Sequence, residues 1–546
     1  MAVSLDRPAR PASTLHALRR RPDLVALAVL LLATFGALMF LGRQTLPIFD
    51  DWLFWAPPST YAPDDLLTHY NGHAAALTRL LTSLSVDVGG SDAFLLHRMW
   101  AYAMHVATLG LLYFVAAPRI GRGLALVAIV PLTLMGLAWL HLLMPYSAIF
   151  QGPGMVGLLA AMLALQRESR RGDLVAFGAL LAATFTATSG LAALAGIVVW
   201  LLWPPVQLRR LWVPGIPAVL WLAWYAGYRP DQGYEIQLLN DVSLVPTYVA
   251  EGLLHGIRTY GYLPGDWSAA LAAALAILVV WVAARPGGMD RNLACAIAGA
   301  VAFWGIIAVG RGPELRVDQL RYLYPNAAHV VLIAVIAFGA AGVRSNRRTV
   351  LVAGTLALTF LLPSANQLRN TARMEREESL QSRAAITAAE IARDHTTDDY
   401  NPIFTTREDG EFSMGRYRPA LEDGRSIGYS EEELLAEPER LRRTADGTLL
   451  SALGIGLKPA GREGSGSCEP VADGGRFPVA AGTPVVVDNA GAEPVTVGLR
   501  RFASGPSELG EVGADGRATI AIPRDRSDRP WEAAVSGGAV RVCTGG

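Results

Sequence analysis

Two adjacent carboxylates, Asp50 and Asp51, follow the first strongly apolar stretch of the chain, where it would leave a membrane. Neighbouring carboxylates raise each other's pKa, and a low-dielectric surface adds to this effect. One of them could then act as a general base near neutral pH. The pair could equally form a solvated turn or cap a helix, and the sequence leaves both interpretations open. The adjacent Trp52 and Trp55 are predicted to anchor the segment at the membrane interface.

A second polar group runs from Thr68 to His73 and reads Thr-His-Tyr-Asn-Gly-His. His69 and His73 are four residues apart and could share a metal ion with an aspartate. Binding of substrate hydroxyls by Asn71 and His73 is an equally reasonable interpretation. Because a His-x3-His spacing alone is a weak signal, we assign Asn71 and His73 to substrate binding and predict no metal ligands.

The same segment is predicted to contain one amphipathic helix over about 66–86, lying along the membrane surface. The preceding Pro63-Asp64-Asp65 favours a helix start, and we assign this second acidic pair no chemistry. The apolar stripe of the helix is formed by Leu66, Tyr70, Leu77, Leu81 and Leu84.

A third group concentrates guanidinium groups and a phenol in one loop, at Arg311, Arg316, Arg321 and Tyr322. The planar fork of arginine binds phosphate oxygens in pairs, so these residues suit a lipid-linked phosphate. The alternative is local pairing of the arginines with Glu314 and Asp318.

The elements that must position these groups are membrane helices. Of the 546 residues, 52% are hydrophobic, and the apolar residues gather in runs as membrane-spanning helices require. We predict an α-helical polytopic membrane protein with about eleven spans. They cover residues 24–41, 95–116, 123–141, 154–166, 174–188, 190–204, 211–228, 268–284, 292–310, 327–343 and 349–366.

Arginine clusters fall in every second loop between these spans, although the formal net charge is zero. The positive-inside rule therefore places the N-terminal segment 1–23 in the cytoplasm and the C-terminus outside. The outer segments are 42–94, 229–267, 311–326 and the tail. The weak point is 174–204, which is either a helical hairpin or one long broken helix. Later arginine clusters favour the hairpin.

Several function classes are disfavoured. The chain has no GxxxxGK[ST] loop and no inner loop that could hold a nucleotide-binding domain, which argues against ATP-driven transport. Ion-coupled transport usually uses ionisable residues in mid-membrane. His105 is the one such residue, and we interpret it as hydrogen-bonded packing. The arginine bias carries no prediction of a nucleic-acid partner.

Beyond the transmembrane domain 24–366, the tail is predicted to contain two parts. Residues 367–474 form a helical linking subdomain, with an amphipathic helix over 375–393 and a capping box at Ser430 and Glu433. Residues 475–546 form a small β-sandwich that either binds glycan or serves as a structural cap. Its predicted strands are Thr483–Val487, Pro494–Leu499, Ala518–Ile522 and Ala539–Val542.

Cys468 and Cys543 bracket the sandwich. An outer location is oxidising, so we predict a disulfide that closes a loop of about 75 residues and contributes roughly 4 kcal/mol in the loop-entropy model. Cys295 lies within a predicted span and is expected to be a free thiol.

This layout resembles the GT-C superfamily of polytopic membrane glycosyltransferases. The resemblance is specific at Asp50 and Asp51, at the Tyr70–His73 string and at Arg321-Tyr322, and is strongest to bacterial members that act on envelope polysaccharides. It implies transfer of a sugar from a polyprenyl-phosphate donor in the bilayer to a glycan or glycolipid hydroxyl, outside the bacterial plasma membrane.

The resemblance further implies an inverting displacement with Asp50 or Asp51 as the base. The arginines of 311–321 would hold the departing phosphate. It leaves open whether a divalent metal ion assists. The competing interpretations are a non-catalytic polysaccharide export or assembly protein and a transporter of lipid-linked glycans.

Overall fold

The computed structural model describes residues 21–47, 50–228, 242–311, 318–403, 412–460 and 467–544. The chain divides into two compact units. The bundle unit comprises Met1–Arg43, Ser59–Val88 and Ala93–Arg373. The C-terminal unit comprises Gln44–Pro58, Gly89–Asp92 and Met374–Gly546. The residues with the acidic pair, in the first predicted outer segment, thus belong to the same unit as the tail.

The described residues of the bundle unit are almost entirely helical. In chain order, and including the short α2 of the C-terminal unit, the helices are α1 (Pro22–Leu41), α2 (Asp51–Trp55), α3 (Pro63–Leu67), α4 (Ala76–Gly89), α5 (Ala93–Ile120), α6 (Arg122–Ile129), α7 (Trp139–Leu143), α8 (Pro145–Leu165), α9 (Arg170–Thr184), α10 (Ser189–Leu202), α11 (Trp212–Gly227), α12 (Val245–Gly261), α13 (Gly265–Ala283), α14 (Arg291–Arg311), α15 (Leu320–Ala340) and α16 (Arg347–Ile391).

Among the described residues, seven of these helices are long and apolar enough to cross a membrane: α1, α5, α8, α13, α14, α15 and α16. The predicted spans at 174–188, 190–204 and 211–228 correspond to the shorter helices α9, α10 and α11. Helices α9 and α10 are separate and pack against each other, and Gly190 lies against the backbone of Ala183. This is the arrangement expected of the hairpin.

The predicted span 123–141 is not one helix. It is divided into α6, a 3₁₀ turn at Gly136–Ala138 and α7. Pro131 explains the break, because proline has no N–H for the helical ladder. The N–H of Gly136 instead donates to the Ser364 hydroxyl of α16 at 2.8 Å, so this backbone group is satisfied inside the protein.

Arginines of the predicted inner segments bind residues of other predicted inner segments. Arg21 and Arg122 both pair with Asp23, at 3.3 and 3.4 Å. Arg344 donates to the backbone carbonyl of Arg119. Arg210 likewise forms an ion pair with Asp173, and Arg291 donates a hydrogen bond to the backbone carbonyl of Pro205. Several pairs of the predicted inner segments are therefore in contact.

The predicted helix over 66–86 is wrong as a single element. Helix α3 ends at Leu67, α4 begins at Ala76, and a tight turn lies between them. Asn71 and Gly72 have φ values of +46° and +78°, the left-handed conformation that Asn-Gly pairs adopt readily. Tyr70 and His73 close this turn with two backbone hydrogen bonds, of 2.9 and 2.8 Å. The turn preference of the Asn-Gly pair therefore overrides the helix that the apolar stripe predicts.

The helix predicted over 375–393 is part of a longer element. The structure joins it to the last apolar stretch, 349–366, in the 45-residue α16. Three short helices follow: α17 (Met414–Glu422), α18 (Glu431–Ala436) and α19 (Glu439–Ala452). The Ser430 hydroxyl and the Glu433 carboxylate cap α18 reciprocally, which confirms the predicted capping box.

Two antiparallel sheets complete the C-terminal unit. The described strands are β1 (Leu457–Pro459), β2 (Ser467–Val471), β3 (Arg476–Val479), β4 (Val485–Asn489), β5 (Val495–Arg500), β6 (Ser507–Val512), β7 (Gly516–Ile520), β8 (Trp531–Ser536) and β9 (Val540–Thr544). Their orders are β1-β7-β4-β9-β2 and β3-β8-β5-β6. Alternate residues such as Val485 and Val487 are buried, and polar strands such as β6 gave no alternating apolar signal in the sequence.

Two buried polar contacts fix the segment that follows β5, and one of them joins it to α19. Asp446 of α19 is fully buried and accepts hydrogen bonds from the N–H groups of Arg501, Phe502 and Ala503 at 2.9 to 3.0 Å. Burial raises the pKa of Asp446, and these N–H groups act in the opposite direction. Arg501 also pairs with Asp525 at 2.8 Å, with both side chains about 1% exposed.

We expect Asp446→Ala to lower the free energy of unfolding of the C-terminal unit by about 3 kcal/mol, because three buried N–H groups lose their acceptor. A raised pKa in the folded state also makes the wild-type stability fall as the pH rises from about 4 through that pKa. Asp446→Asn should lose this pH dependence. Thermal unfolding of the full chain in detergent between pH 4 and 7 measures both effects. The exposed Asp528→Ala is the control, and equal stability of all variants would contradict the assignment.

Cys468 on β2 faces Cys543 on β9 in the strand register, and the two form a disulfide. Its formation in cells requires an oxidising compartment. We expect both thiols to resist labelling until a reductant is added, and Cys468→Ser to lower the stability of the sandwich by up to about 4 kcal/mol. Cys295, a free cysteine buried in the bundle unit, provides the control through Cys295→Ala. Free, reactive Cys468 and Cys543 in intact cells would place the tail in the cytoplasm.

Candidate functional site

The acidic pair lies at the start of the five-residue helix α2. Asp51 is its first residue and is fully buried, with 0% of its surface exposed. Asp50 is half-buried at the N-cap position, and its side chain makes no capping hydrogen bond to the described residues. Asp51 therefore does not occupy a solvated turn. The neighbouring Phe49 lies outside the described residues.

The two tryptophans after the pair do not face a membrane interface as predicted. Trp52 and Trp55 are each 1% exposed and pack inside the C-terminal unit. The Trp52 ring lies edge-on to Phe412 at 4.7 Å, and the Trp55 ring stacks on Tyr417 at 6.3 Å. Aromatic partners separated by more than 350 residues thus bury both rings, which sequence reasoning missed because nothing local signals such a contact.

Two hydrogen bonds fix the Tyr417 hydroxyl next to this aromatic cluster. Its hydroxyl donates to the Glu390 carboxylate at 2.6 Å and accepts the N–H of Ile427 at 2.9 Å. Burial and the nearby Glu390 charge raise the pKa of Tyr417 above its ordinary value. The phenol therefore stays protonated and keeps donating to Glu390 at neutral pH.

Asn71 and His73, predicted to bind substrate, differ in their surroundings. Asn71 is exposed at the tip of the turn. The Nδ1 atom of His73 lies 3.0 Å from the Thr188 hydroxyl, and its ring meets Phe150 edge-on at 5.0 Å. His73 is thus held by packing within the bundle unit, whereas the Asn71 side chain faces outward.

The arginine loop is described only in part. Arg316 lies outside the described residues, as does the side chain of Arg311 at the end of α14. Arg321 donates to the Gln319 amide oxygen at 3.0 and 3.2 Å, and its guanidinium carbon lies 5.7 Å from the centre of the Tyr322 ring. The structure thus brings Arg321 and Tyr322 together at the start of α15, with Tyr322 buried.

The bundle unit contains a buried group of polar rings that the sequence did not reveal. The Tyr324 ring stacks on His141 at 4.3 Å and lies 4.9 Å from His105. The Nε2 atom of His105 is 3.3 Å from the carbonyl oxygen of Thr133, which agrees with the predicted packing role. The three rings come from α5, α7 and α15, and no sequence spacing connects them.

The predicted outer segment 229–267 contains α12, which packs against α14 and α15. Its polar residues Asp231, Tyr234, Glu235 and Asp241 lie outside the described residues.

Known proteins of similar structure include two forms of one protein. ArnT from Cupriavidus metallidurans in the apo state matches 80% of this chain and 96% of its own, with 14% identity and a TM-score of 0.44. The same protein bound to undecaprenyl phosphate matches 83% of this chain and 97% of its own, with 14% identity and a TM-score of 0.36.

A further match is the oligosaccharyltransferase of Archaeoglobus fulgidus in complex with Zn and sulfate. It covers 94% of this chain and 98% of its own, with 10% identity and a TM-score of 0.41. No family model and no curated protein matches the chain.

Proposed function

We propose that this protein is a membrane glycosyltransferase of the GT-C type. It would move a sugar from a polyprenyl-phosphate donor to a hydroxyl of an envelope glycan or glycolipid, on the outer face of a bacterial plasma membrane. Three features support this: helices suited to span a bilayer, a buried acidic residue directly after the first of them, and an Arg-Tyr pair that begins a late one.

The burial of Asp51 is the observation that carries the proposal. Removing a carboxylate from water is costly, and buried titratable groups concentrate at functional sites. Asp51 also stands beside a second, half-buried carboxylate on a short helix.

The chemistry assigned to the acidic pair is general-base catalysis. The Asp51 carboxylate, with Asp50 as its neighbour, would take the proton of the acceptor hydroxyl. The acceptor oxygen then forms a bond to the anomeric carbon while the bond from that carbon to the phosphate oxygen breaks. Attack from the face opposite the leaving group inverts the anomeric centre. The polyprenyl phosphate departs with the bonding electron pair.

The departing phosphate gains negative charge, which a guanidinium can stabilise through paired charge-assisted hydrogen bonds. We assign this role to Arg321, together with Arg311 and Arg316. Asn71 is assigned to acceptor or donor hydroxyls, with His73 beside it. A donor in the bilayer suits an external enzyme, because nucleotide sugars are absent outside the membrane.

We expect Asp51→Asn to lower sugar transfer by at least about 100-fold, since the amide cannot accept the proton. Asp50→Asn should have a smaller effect. The matched control is Asp64→Asn/Asp65→Asn, an exposed acidic pair of the same sequence region bonded to Tyr228 and Thr60. The measurement is envelope sugar composition and the pool of polyprenyl-phosphate sugar in cells that lack the wild-type protein.

A missing sugar with an accumulated lipid donor would support the transferase and identify its substrate. If Asp51→Asn and Asp50→Asn, both present in the membrane, restore the wild-type envelope, the pair is not catalytic. A non-catalytic export or assembly protein would then be the better interpretation.

For Arg321→Ala we expect the KM for the lipid donor to rise about 10-fold or more, since a charge-assisted hydrogen bond is worth roughly 1.5–3 kcal/mol. Arg321→Lys should recover only part of this, because an ammonium cannot bind two phosphate oxygens as a fork does. Arg291→Ala, at the first residue of α14, is the control. Steady-state kinetics on purified enzyme in nanodiscs measures the difference, and an unchanged KM would remove Arg321 from the donor site.

A further inference from the structure

The segment that carries the acidic pair is held at both ends by the C-terminal chain. Before the pair, the N–H of Leu46 donates to the Ser379 hydroxyl of α16 at 3.1 Å. After it, the guanidinium of Arg425 donates to the carbonyl oxygens of Trp55, Ala56 and Pro57 at 2.6, 3.0 and 3.1 Å. All of these residues belong to the C-terminal unit.

Arg425 is a buried arginine whose guanidinium is bound mainly by backbone carbonyls. It is 2% exposed, and its one carboxylate partner among the described residues is Asp423, at 3.2 Å. Among the described residues, its other hydrogen bonds go to backbone carbonyls at the end of α2. Carbonyls at a helix C-terminus lack partners within the helix and carry partial negative charge, so a guanidinium satisfies them well.

The same contact constrains the acidic pair through the backbone. A helix of five residues is not stable alone, because forming its first turn is unfavourable. Asp51 and Trp55 are joined by this single turn, so fixing the carbonyls of residues 55–57 also limits the position of Asp51. The Trp52 and Trp55 rings, packed on Phe412 and Tyr417, restrict rotation about the helix axis.

We propose that Arg425 is a positioning residue of the transferase, which fixes α2 and thereby sets where the Asp51 carboxylate meets the acceptor hydroxyl. This rests on the proposed function, in which the pair is the general base. Arg425 does not touch the reacting atoms in this assignment. It acts through the backbone of residues 55–57.

The test compares Arg425→Lys and Arg425→Ala with wild type in the full-length protein. A displacement of about 1 Å in a catalytic group can cost about 100-fold in rate. We therefore expect kcat to fall by about that factor in Arg425→Lys, which keeps the charge but loses the fork, while the KM for the lipid donor stays within about twofold. Added guanidinium should restore part of the activity of Arg425→Ala.

The matched control is Arg501→Lys, since Arg501 is another buried arginine of the same unit but is bound to Asp525. It should reduce stability without changing kcat. A second readout is hydrogen exchange of a peptide covering residues 50–58, which should accelerate in Arg425→Lys and not in Arg501→Lys. This readout does not depend on activity.

The outcomes separate the inference from the function on which it rests. If Asp51→Asn abolishes transfer but Arg425→Lys keeps the wild-type kcat and exchange, the positioning role is wrong and the transferase stands. If kcat falls equally in Arg425→Lys and Arg501→Lys, Arg425 is only structural. If both aspartate variants remain fully active, the proposed function fails and the positioning role fails with it, while exchange still decides whether Arg425 holds α2.

Discussion

Burial of the Asp51 carboxylate is the constraint on which the candidate site depends. A charged group without water needs rigid surroundings, because any opening that lets it rehydrate is favourable for the charge. Three elements of the chain supply this rigidity: the short helix α2, the two buried tryptophan rings, and the Arg425 guanidinium bound to backbone carbonyls. Each is weak alone. Together they hold Asp51 at the start of α2.

The bundle unit obeys a related constraint on its backbone. Non-helical chain at membrane depth is tolerated only where its polar groups find partners inside the protein. The break at Pro131 meets this condition through the bond from the Gly136 N–H to Ser364. Gly136 lies so close to the Ser364 backbone that a Cβ atom would stand 2.4 Å from its carbonyl oxygen. A glycine is therefore required where α16 passes the broken segment.

Apolar runs and local signals predicted much of the fold. Long spans such as α1 and α15 and the capping box at Ser430 follow from short-range patterns in the sequence. The Asn71-Gly72 pair is a strong local turn signal, and it overrides the apolar stripe that favours a continuous helix. The aromatic cluster and the Arg425 contact were not readable. They join residues about 370 positions apart, and no periodicity extends over that distance.

The hydrogen bonds from Arg425 to the end of α2 also have a consequence for biosynthesis. Arg425 is separated from Trp55 by 370 residues, so the first loop leaves the ribosome long before its partner exists. At about 5–20 residues per second this delay is roughly 20–75 s. During that time the tryptophans lack their aromatic partners. A chain interrupted before residue 425 lacks these contacts, so the bonds that fix the end of α2 form only after most of the chain has been made.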